Sequence, residues 1–435
     1  MSGLAEILAS LGATVSGSDV KESARTEYLQ SAGVKIYIGH SAKNVADADV
    51  VVYSSAIPKD NPEYIYALEN KIPLIRRAEA LAELMRLKRG IAVAGTHGKT
   101  TTTSLIAASM MATDVDPTVI VGGVLKQLNS NAKLGAGQWL IAEADESDGS
   151  FDKLSPEIAI ITNIDNDHLD HFGSYNALKE AYRNFAEKVP FYGLLIYCGD
   201  DYDLVDLLKG FSKPTITYGF YEEMDYWLTS LGDEQYEVYK GKEKLGQFVC
   251  PVPGSHNALN SLAALIAVIE GVGLTFDQAV KGLEQFSGVG RRFQLGAENK
   301  DNIIFIDDYA HHPTAVAQVL KAAKERYSSR RIVSVFQPHR YSRVQSCWDQ
   351  FLNCFDLSDV VYFTDLYPAG EAPIEGISSE TLATELYHPN AKHLVGDLAQ
   401  VAESLKDQIQ KNDVVLIMGA GNINHLTAML NEPLK

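Results

Sequence analysis

Short apolar runs alternate with stretches of helical spacing along the chain. In its first part, these segments lie at residues 4–11, 34–38, 50–53 and 78–85. Such alternation is typical of α/β units built on a parallel sheet. We therefore predict a first α/β domain over residues 1–87. It opens on a helix at Ser2-Gly3-Leu4-Ala5 and lacks the strand that usually precedes such a helix.

The same alternation continues after residue 87. The strands predicted here lie at 91–94, 139–142 and 158–162, and the helices at 101–108, 176–185 and 257–269. Between residues 217 and 252, aromatic, β-branched and charged residues alternate, which is typical of antiparallel strands. These segments predict a second α/β domain over residues 88–290.

A third α/β domain is predicted over residues 291–435. Two arginines precede its first strand, and its predicted strands lie at 303–306, 332–336, 360–364 and 414–418. The sequence shows no repeat of fixed short period and no low-complexity segment, so we expect ordinary loops between the elements.

Composition agrees with a chain of several domains. At 435 residues, 46% of them apolar and 22% charged, it exceeds the size at which single cores usually divide. Its longest apolar run, near 263–269, is far shorter than the roughly 20 residues that span a bilayer, and no signal-peptide pattern opens the sequence. The four cysteines are too sparse for a disulfide framework. We expect a cytoplasmic protein with reduced thiols and no membrane insertion.

The charge balance narrows the possible ligands. The formal charge is −18, from 56 acidic and 38 basic residues, whereas nucleic acid is bound by clustered Lys and Arg. This argues against a nucleic-acid partner. A small anionic ligand would need local positive groups, which draws attention to Arg291-Arg292 and His339-Arg340. Each cluster could be ordinary surface charge, but two of them in an acidic chain favour an anion site.

The clearest candidate chemistry is the loop after the strand at 91–94, which reads Gly95-Thr96-His97-Gly98-Lys99-Thr100-Thr101 and leads into a helix. A helix amino terminus and several backbone N–H groups then surround one point, which suits a polyphosphate. The usual P-loop spacing requires glycine at position 93, where this chain has Val93, so the loop is a shortened variant. The alternative is a glycine-rich turn with a solvated lysine, but strand, loop and helix occur in the order that phosphate binding needs.

Two acidic stretches follow predicted strands. They are Glu143-Ala144-Asp145-Glu146-Ser147-Asp148 and Asp165-Asn166-Asp167-His168-Leu169-Asp170-His171. Open α/β sheets gather ligands at the carboxyl ends of their strands, and Mg²⁺ prefers oxygen ligands. Either stretch alone could be a solvated acidic loop. Following a phosphate loop, the two together predict a magnesium site for phosphoryl transfer.

These segments resemble the Mur ligases of bacterial cell-wall synthesis over essentially the whole chain. The motifs that carry the resemblance are 95–102, 143–148, 162–165 with 168–170, His256-Asn257 with Asn260, 291–293, 307–313 and 337–343. The resemblance implies three α/β domains: an incomplete Rossmann-like UDP-sugar-binding domain, a central P-loop ATP-binding domain, and a Rossmann-like C-terminal domain for the amino acid. It also implies a cytoplasmic, ATP-dependent ligase of peptidoglycan synthesis, and hence of cell shape and division, acting as a monomer or homodimer.

In Mur ligases a carboxylate attacks the γ-phosphate of ATP, and an amine then attacks the acyl phosphate. The resemblance implies UDP-N-acetylmuramate and L-alanine as substrates, with ATP and Mg²⁺. It assigns catalysis to Lys99, His168, His339 and Arg343, and magnesium binding to Thr100, Glu143 and His168. It assigns ATP contacts to Gly95, Thr96, His97, Gly98, Lys99, Thr100, Thr101, Asn257, Asn260, Arg292 and Asp308. It assigns substrate contacts to Asp19, His40, Ser54, Ser55, Tyr309, His311, His339, Arg340 and Arg343.

Some of these residues have structural alternatives. His256-Asn257 could cap the helix that follows. His311 and His312 could be a metal pair by type, but adjacent residues of one strand point to opposite faces. A contact of these histidines with an amino acid or a phosphate is therefore favoured.

The N-terminus departs from the family pattern. Mur ligases usually carry Gly-x-Gly-Gly-x-Gly, which receives the UDP diphosphate, directly before the position of Met1-Ser2-Gly3. A misassigned start, a truncation and weakened nucleotide-sugar binding are the alternatives. The rest of that pocket could also be ordinary turn residues at strand ends, namely Asp19, His40, Ser54 and Ser55.

A further departure separates branches within the family. Relatives that add later amino acids carry a carbamylated lysine fourteen residues after the magnesium histidine, where this chain has Tyr182. That difference and the Asp-Glu-Ser-Asp run favour L-alanine. The alternatives are a recycling ligase that attaches a tripeptide to the same sugar and an inactive or regulatory P-loop ATPase. A simple switch protein would not need the Arg and His set of the third domain.

Overall fold

The computed structural model describes residues 1–54, 57–146, 150–296 and 301–430. In the N-terminal part, helices alternate with parallel strand pairs. Its helices are α1 (Ser2–Ser10), α2 (Ala24–Ser31), α3 (Pro62–Glu69) and α4 (Arg77–Arg86), and its strands are β1 (Ser16–Asp19), β2 (Lys35–Ile38), β3 (Val51–Tyr53) and β4 (Leu74–Arg76). Strand β1 pairs with β2 and β3 pairs with β4, as two separate parallel sheets.

The central part forms the largest sheet of the described chain. Its helices are α5 (Lys99–Met111), α6 (Leu169–Phe172), α7 (Tyr175–Glu187), α8 (Tyr202–Leu207), α9 (Ser255–Ile266) and α10 (Phe276–Glu284). Its strands are β5 (Arg89–Ala94), β6 (Thr118–Leu125), β7 (Ser130–Lys133), β8 (Trp139–Glu143), β9 (Ile158–Ile161), β10 (Leu194–Cys198), β11 (Thr215–Gly219), β12 (Tyr226–Gly232), β13 (Gln235–Lys240) and β14 (Glu243–Val249). The strand order is β14-β13-β12-β11-β10-β9-β5-β8-β6-β7.

The C-terminal part forms a smaller sheet of order β15-β16-β20-β17-β18-β19. Its helices are α11 (Pro313–Arg326), α12 (Tyr341–Ser346), α13 (Trp348–Phe351), α14 (Ser379–Glu385), α15 (Leu398–Lys406) and α16 (His425–Leu430). Its strands are β15 (Gln294–Leu295), β16 (Ile304–Asp308), β17 (Ile332–Phe336), β18 (Val360–Phe363), β19 (Ala391–His393) and β20 (Val414–Met418). All are parallel except β15, which runs antiparallel to β16.

Burial explains why the middle strands are continuous apolar runs. All four residues of β9 are buried, as are residues 90–94 of β5, because helices cover both faces of a parallel sheet. Helix α5 is itself buried over residues 100–110 and contacts α9 and α10. The helix is therefore anchored in the core of the central part, next to the loop that precedes it.

The predicted α/β class is confirmed, as are the parallel core of the central sheet and the antiparallel strands that end it. The predicted division points, 87/88 and 290/291, fall between the sheets, and we propose them as domain boundaries. Within the described residues, no helix is both long enough and apolar enough to cross a bilayer.

Candidate active site

Three neighbouring strands, β9, β5 and β8, end at one edge of the central sheet. The loop 95–98 follows β5, Glu143 ends β8, and the segment 162–168 follows β9. Open α/β sheets bind ligands at such an edge. A cavity of about 1410 Å³ lies there, lined by residues of the central part and by C-terminal residues from 290 onward.

The loop is anchored to the segment after β9. The backbone N–H of His97 donates to Asn163 Oδ1 at 2.8 Å, and the Thr162 hydroxyl donates to the His97 carbonyl at 2.6 Å. Gly98 has φ +86°, and a Cβ there would lie 2.5 Å from Asn260 Oδ1. Glycine is thus required at position 98 both by the backbone conformation and by the close approach of Asn260.

Lys99 begins α5 and is paired inside the site. Its Nζ donates to Glu146 Oε1 at 2.7 Å and to the Gly95 carbonyl at 2.6 Å. Burial alone would lower the pKa of Lys99, but the charges of Glu146 and Asp145 outweigh it and raise the pKa. Burial raises the pKa of Glu146 to about 7, against the opposing charge of Lys99. The sequence indicates an acidic stretch here but does not identify Glu146 as the partner of the loop lysine.

Thr100 and Glu143 form a part-buried oxygen pair. The Thr100 hydroxyl donates to Glu143 Oε2 at 3.0 Å, and the Gly122 N–H donates to Oε1 at 2.5 Å. A Cβ at Gly122 would lie 3.1 Å from Oε2, so a larger residue at position 122 would crowd the carboxylate. Burial raises the pKa of Glu143, while the Gly122 N–H and the charge of Arg292 oppose the rise. A hydroxyl beside a carboxylate fits Mg²⁺, which takes oxygen ligands.

His168 lines the same cavity, in the loop between β9 and α6. Its backbone is left-handed, with φ +58°, and so is that of Arg291 (φ +59°) and Arg340 (φ +68°). Burial lowers the pKa of His168, although the charge of Asp167 opposes this effect. A neutral imidazole can bind a metal ion. The three residues predicted to bind magnesium, Thr100, Glu143 and His168, all line this cavity.

The residues predicted to bind ATP beyond the loop are linked by hydrogen bonds. The Thr102 hydroxyl donates to Asn260 Oδ1 at 3.2 Å, and Asn260 Nδ2 donates to Asn257 Oδ1 at 3.1 Å. The residue that caps α9 is Gly254, so Asn257 is not the cap of that helix. Arg292 Nη2 donates to the Thr100 hydroxyl at 3.2 Å, which places an arginine of the C-terminal part on the phosphate loop.

Asp308 ends β16 and is buried. Its two oxygens accept the backbone N–H groups of Phe293 and Ala310, each at 2.7 Å. The carboxylate therefore holds the turn at residues 291–293 beside the cavity. Its predicted contact with the ribose stays a prediction.

The predicted substrate side chains of the C-terminal part lie together. The His339 ring stacks on Tyr367, with centroids 5.5 Å apart, and faces the edge of His311 at 6.0 Å. Tyr309 packs against His311 with centroids 5.2 Å apart, and Arg340 donates to Glu371 at 2.6 Å. Burial and the charges of Arg343 and Arg340 lower the pKa of His339 to about 4, so this imidazole is neutral near pH 7.

The two adjacent histidines do not lie on a strand, so that part of the prediction is wrong. Both follow the end of β16, and His312 is the amino-terminal cap of α11. His312 Nδ1 lies 3.3 Å from Asp165 Oδ2, and His97 Nε2 lies 2.7 Å from the same oxygen. The sequence reasoning missed this cluster, because no spacing rule brings three segments of two domains together.

The N-terminal residues predicted to contact the substrate lie elsewhere. Among the described residues, those lining the large cavity begin at Thr96. His40 Nδ1 lies 3.1 Å from the Ser18 hydroxyl and 3.6 Å from Glu63 Oε2, and Asp19 is exposed at the end of β1. Ser54 follows β3, and Ser55 lies outside the described residues. The predicted UDP-sugar contacts stay predictions.

Tyr182, at the position of the family's carbamylated lysine, is fully buried in α7. Its ring stacks on Phe151, with centroids 5.6 Å apart. Its ring therefore packs in the core of the protein.

Three family descriptions match the chain in order. "Mur ligase family, catalytic domain" matches residues 1–89, "Mur ligase middle domain" matches residues 93–268, and "Mur ligase, glutamate ligase domain" matches residues 291–421. The three matched segments correspond in order to the N-terminal, central and C-terminal parts described above.

Similar proteins extend over nearly the whole chain. The UDP-N-acetylmuramate--L-alanine ligase of Bdellovibrio bacteriovorus is 50% identical, covering 97% of this chain and 94% of that protein. The ligase of the same name from Geobacter sulfurreducens is 46% identical, covering 97% and 93%. The crystal structure of UDP-N-acetylmuramate-alanine ligase from Thermotoga maritima is 30% identical, with a TM-score of 0.82, and covers 99% of this chain and 95% of that one.

Proposed function

The chain belongs to the Mur ligase family, and we propose that it joins L-alanine to the lactyl carboxylate of UDP-N-acetylmuramate while ATP is converted to ADP and phosphate. Relatives 45–50% identical over nearly the full length bear the name of this activity. It supplies a precursor of peptidoglycan, and we place it in the cytoplasm.

The observation that carries the proposal is the meeting of the phosphate loop with C-terminal arginines and histidines in one cavity. Arg292 reaches Thr100 at 3.2 Å, and Arg343 reaches Asp167, also at 3.2 Å. A ligase must hold ATP, an acid and an amine together, whereas a regulatory ATPase needs only the nucleotide. The predicted regulatory alternative therefore has no support in this arrangement.

In the proposed reaction, a carboxylate oxygen of the substrate attacks the γ-phosphorus, and the bond to the β–γ bridging oxygen breaks. Lys99 and backbone N–H groups at the start of α5 bind the phosphates, and Arg292 adds charge beside Thr100. Preorganised donors of this kind stabilise the charge that spreads over the transferring group. Lys99 donates to Glu146 and to the Gly95 and Thr96 carbonyls, so at least one of these bonds has to lengthen for it to reach a phosphate.

Thr100, Glu143 and His168 would hold Mg²⁺. The bound ion would neutralise charge on the transferring phosphoryl group. Thr100 and Glu143 are already joined at 3.0 Å, so their oxygens are close enough to serve as ligands of one ion.

The amine of L-alanine then attacks the acyl carbonyl, and phosphate leaves. Tyr309, His311, His339, Arg340 and Arg343 are the proposed contacts of the substrates in the C-terminal part. An arginine fork is suited to a carboxylate, and His339 beside Arg343 is neutral near pH 7, so it can contact the substrates as an uncharged hydrogen-bonding group.

Phosphate release tests the proposal directly. The protein is incubated with ATP, Mg²⁺ and UDP-N-acetylmuramate, and release is compared with L-alanine, with a muropeptide tripeptide, and with no amine. We expect release to require the amine and to be fastest with L-alanine. Equal release without an amine, or a clear preference for the tripeptide, would contradict the proposal.

A further inference from the structure

A cluster of three nitrogen and oxygen ligands lies where the phosphate loop meets the C-terminal part. It consists of His97 from the loop, Asp165 from the segment after β9, and His312 at the start of α11. One ligand atom from each residue lies within 4.8 Å of the others. We propose that these three residues bind a divalent transition metal of the Zn²⁺ or Co²⁺ class. The site shares no residue with the proposed magnesium set.

The ligand types select this class of metal. Two imidazole nitrogens and one carboxylate oxygen suit Zn²⁺ and its neighbours, whereas Mg²⁺ prefers oxygen ligands. At metal–ligand lengths near 2.1 Å, tetrahedral ligand atoms lie roughly 3.4 Å apart. His312 Nδ1 lies 3.3 Å from Asp165 Oδ2 and His97 Nε2 lies 2.7 Å from it. Side-chain shifts below about 1 Å would therefore admit the ion.

The two ring nitrogens of His312 face different partners. Nε2 lies 3.3 Å from the Asn166 carbonyl and can donate to it. Nδ1 lies 3.3 Å from Asp165 Oδ2 and 3.4 Å from the Thr314 backbone nitrogen. Because this nitrogen has one lone pair, an ion bound at Nδ1 would take the place of the Thr314 N–H. A metal-binding histidine is usually supported in this way, by a hydrogen bond from its other ring nitrogen to a backbone carbonyl or a carboxylate.

The three ligands are held by the backbone around them. Asp165 Oδ1 accepts the Asn166 N–H at 2.7 Å, which leaves Oδ2 for the cluster, and the Asp165 N–H donates to the Thr96 hydroxyl at 2.9 Å. His312 is fixed as the cap of α11. Ligands on anchored segments lose little freedom when an ion binds. A bound ion would join the phosphate loop directly to α11.

Cys347 is near the cluster but on the other side of the ring. Its Sγ lies 3.5 Å from His312 Nε2, whereas the proposed ligand atom is Nδ1. The site is therefore expected to have no sulfur ligand, which gives it a spectroscopic signature distinct from a cysteine site.

Cobalt titration of the full chain tests the site. With Mg²⁺ in excess, we expect one equivalent of Co²⁺ to give the visible d–d absorption of a four- or five-coordinate ion, without a sulfur-to-cobalt charge-transfer band. Zn²⁺ should displace the signal. Absence of a one-equivalent signal, or a charge-transfer band from a thiolate, would overturn the proposal.

His312→Asn is the matched variant, because asparagine can still accept the Thr314 N–H as the cap of α11. We expect it to weaken Co²⁺ binding at least as much as the about 10–100-fold that loss of an outer partner costs. The control is His425→Asn, at the exposed first residue of α16, which should leave binding unchanged. Equal affinity of His312→Asn and wild type would refute the site, and thermal unfolding of both variants checks that they are folded.

Discussion

Arg343 on α12 and Asp167 after β9 form a buried two-point ion pair. Nε lies 3.2 Å from Oδ1 and Nη2 lies 3.3 Å from Oδ2, and both side chains are under a tenth exposed. Two of the three guanidinium nitrogens thus bind the central part of the chain. Nη1 lies 3.4 Å from Nδ1 of His339, another proposed substrate contact.

Asp167→Asn should destabilise the protein. It leaves a buried guanidinium without a charged partner, which typically costs about 3–5 kcal/mol. The measurement is the shift of the thermal unfolding midpoint. Glu325→Gln is the control, because its pair with Lys321 is exposed and 4.0 Å long, and such pairs contribute less than about 1 kcal/mol. Equal shifts in the two variants would show that the Arg343–Asp167 pair is not a major stabilising contact.

Glu146→Gln should tighten ATP binding. The substitution keeps an acceptor for Lys99 but removes a negative charge beside the phosphate loop. The pKa of Glu146 is about 7, so in the wild type its carboxyl ionises as pH rises through neutrality, and ATP affinity should fall over that range. Calorimetric titration from pH 6 to 8 should show this fall in the wild type and a smaller one in the variant. Parallel pH profiles would exclude Glu146 as the titrating group.

Glu143→Gln should raise the Mg²⁺ concentration that gives half-maximal ligation. The amide oxygen can still accept bonds from Thr100 or Gly122, but the anionic ligand is lost. By analogy with changes around metal sites, we expect a rise of about 10–100-fold. Glu157→Gln is the control: Glu157 precedes β9, at the opposite edge of the sheet, where it pairs with Arg89. An unchanged Mg²⁺ requirement in Glu143→Gln would remove this residue from the proposed magnesium set.

Substitution of the neighbouring residues Arg291 and Arg292 should affect stability and nucleotide binding differently. Arg291 donates to the backbone carbonyls of Gly419 and Gly421, so Arg291→Ala should lower stability by about 1–3 kcal/mol. Arg292 instead reaches Thr100, and Arg292→Ala should raise the KM for ATP about tenfold, the equivalent of about 1.4 kcal/mol. The thermal unfolding midpoint and the KM for ATP are measured for both variants. If Arg292→Ala affects only stability, its proposed contact with the phosphates is wrong.

The parts of the site that were predictable are those contained in one short segment. The strand, the loop with Lys99 and the helix that follows are contiguous, so local spacing identifies them. The acidic stretches after β8 and β9 are predictable for the same reason, because parallel strands end at one edge of a sheet. The family resemblance extended these local predictions to the whole chain, and the comparisons confirm the family.

The contacts that were not predicted join distant segments. Lys99 and Glu146 are 47 residues apart, and Arg343 and Asp167 are 176 apart. No periodicity links such positions. Strand β1 reads Ser-Gly-Ser-Asp and carries no apolar signal, so it was missed for a physical reason. Strand β10 is different: Leu-Leu-Ile-Tyr-Cys is a buried-type run that the predictions omit although its pattern is present.

The left-handed backbone at His168, Arg291 and Arg340 bears on how this protein could be engineered. For residues other than glycine such a conformation costs of order 1 kcal/mol or more. A screen for heat resistance alone would therefore favour glycine at His168, and that gain would delete a side chain at the cavity. Glycine at Arg291 or Arg340 would also lose the hydrogen bonds of these side chains to Gly419 and Glu371. Libraries intended to raise thermal tolerance should keep all three positions fixed and vary the exposed helices instead.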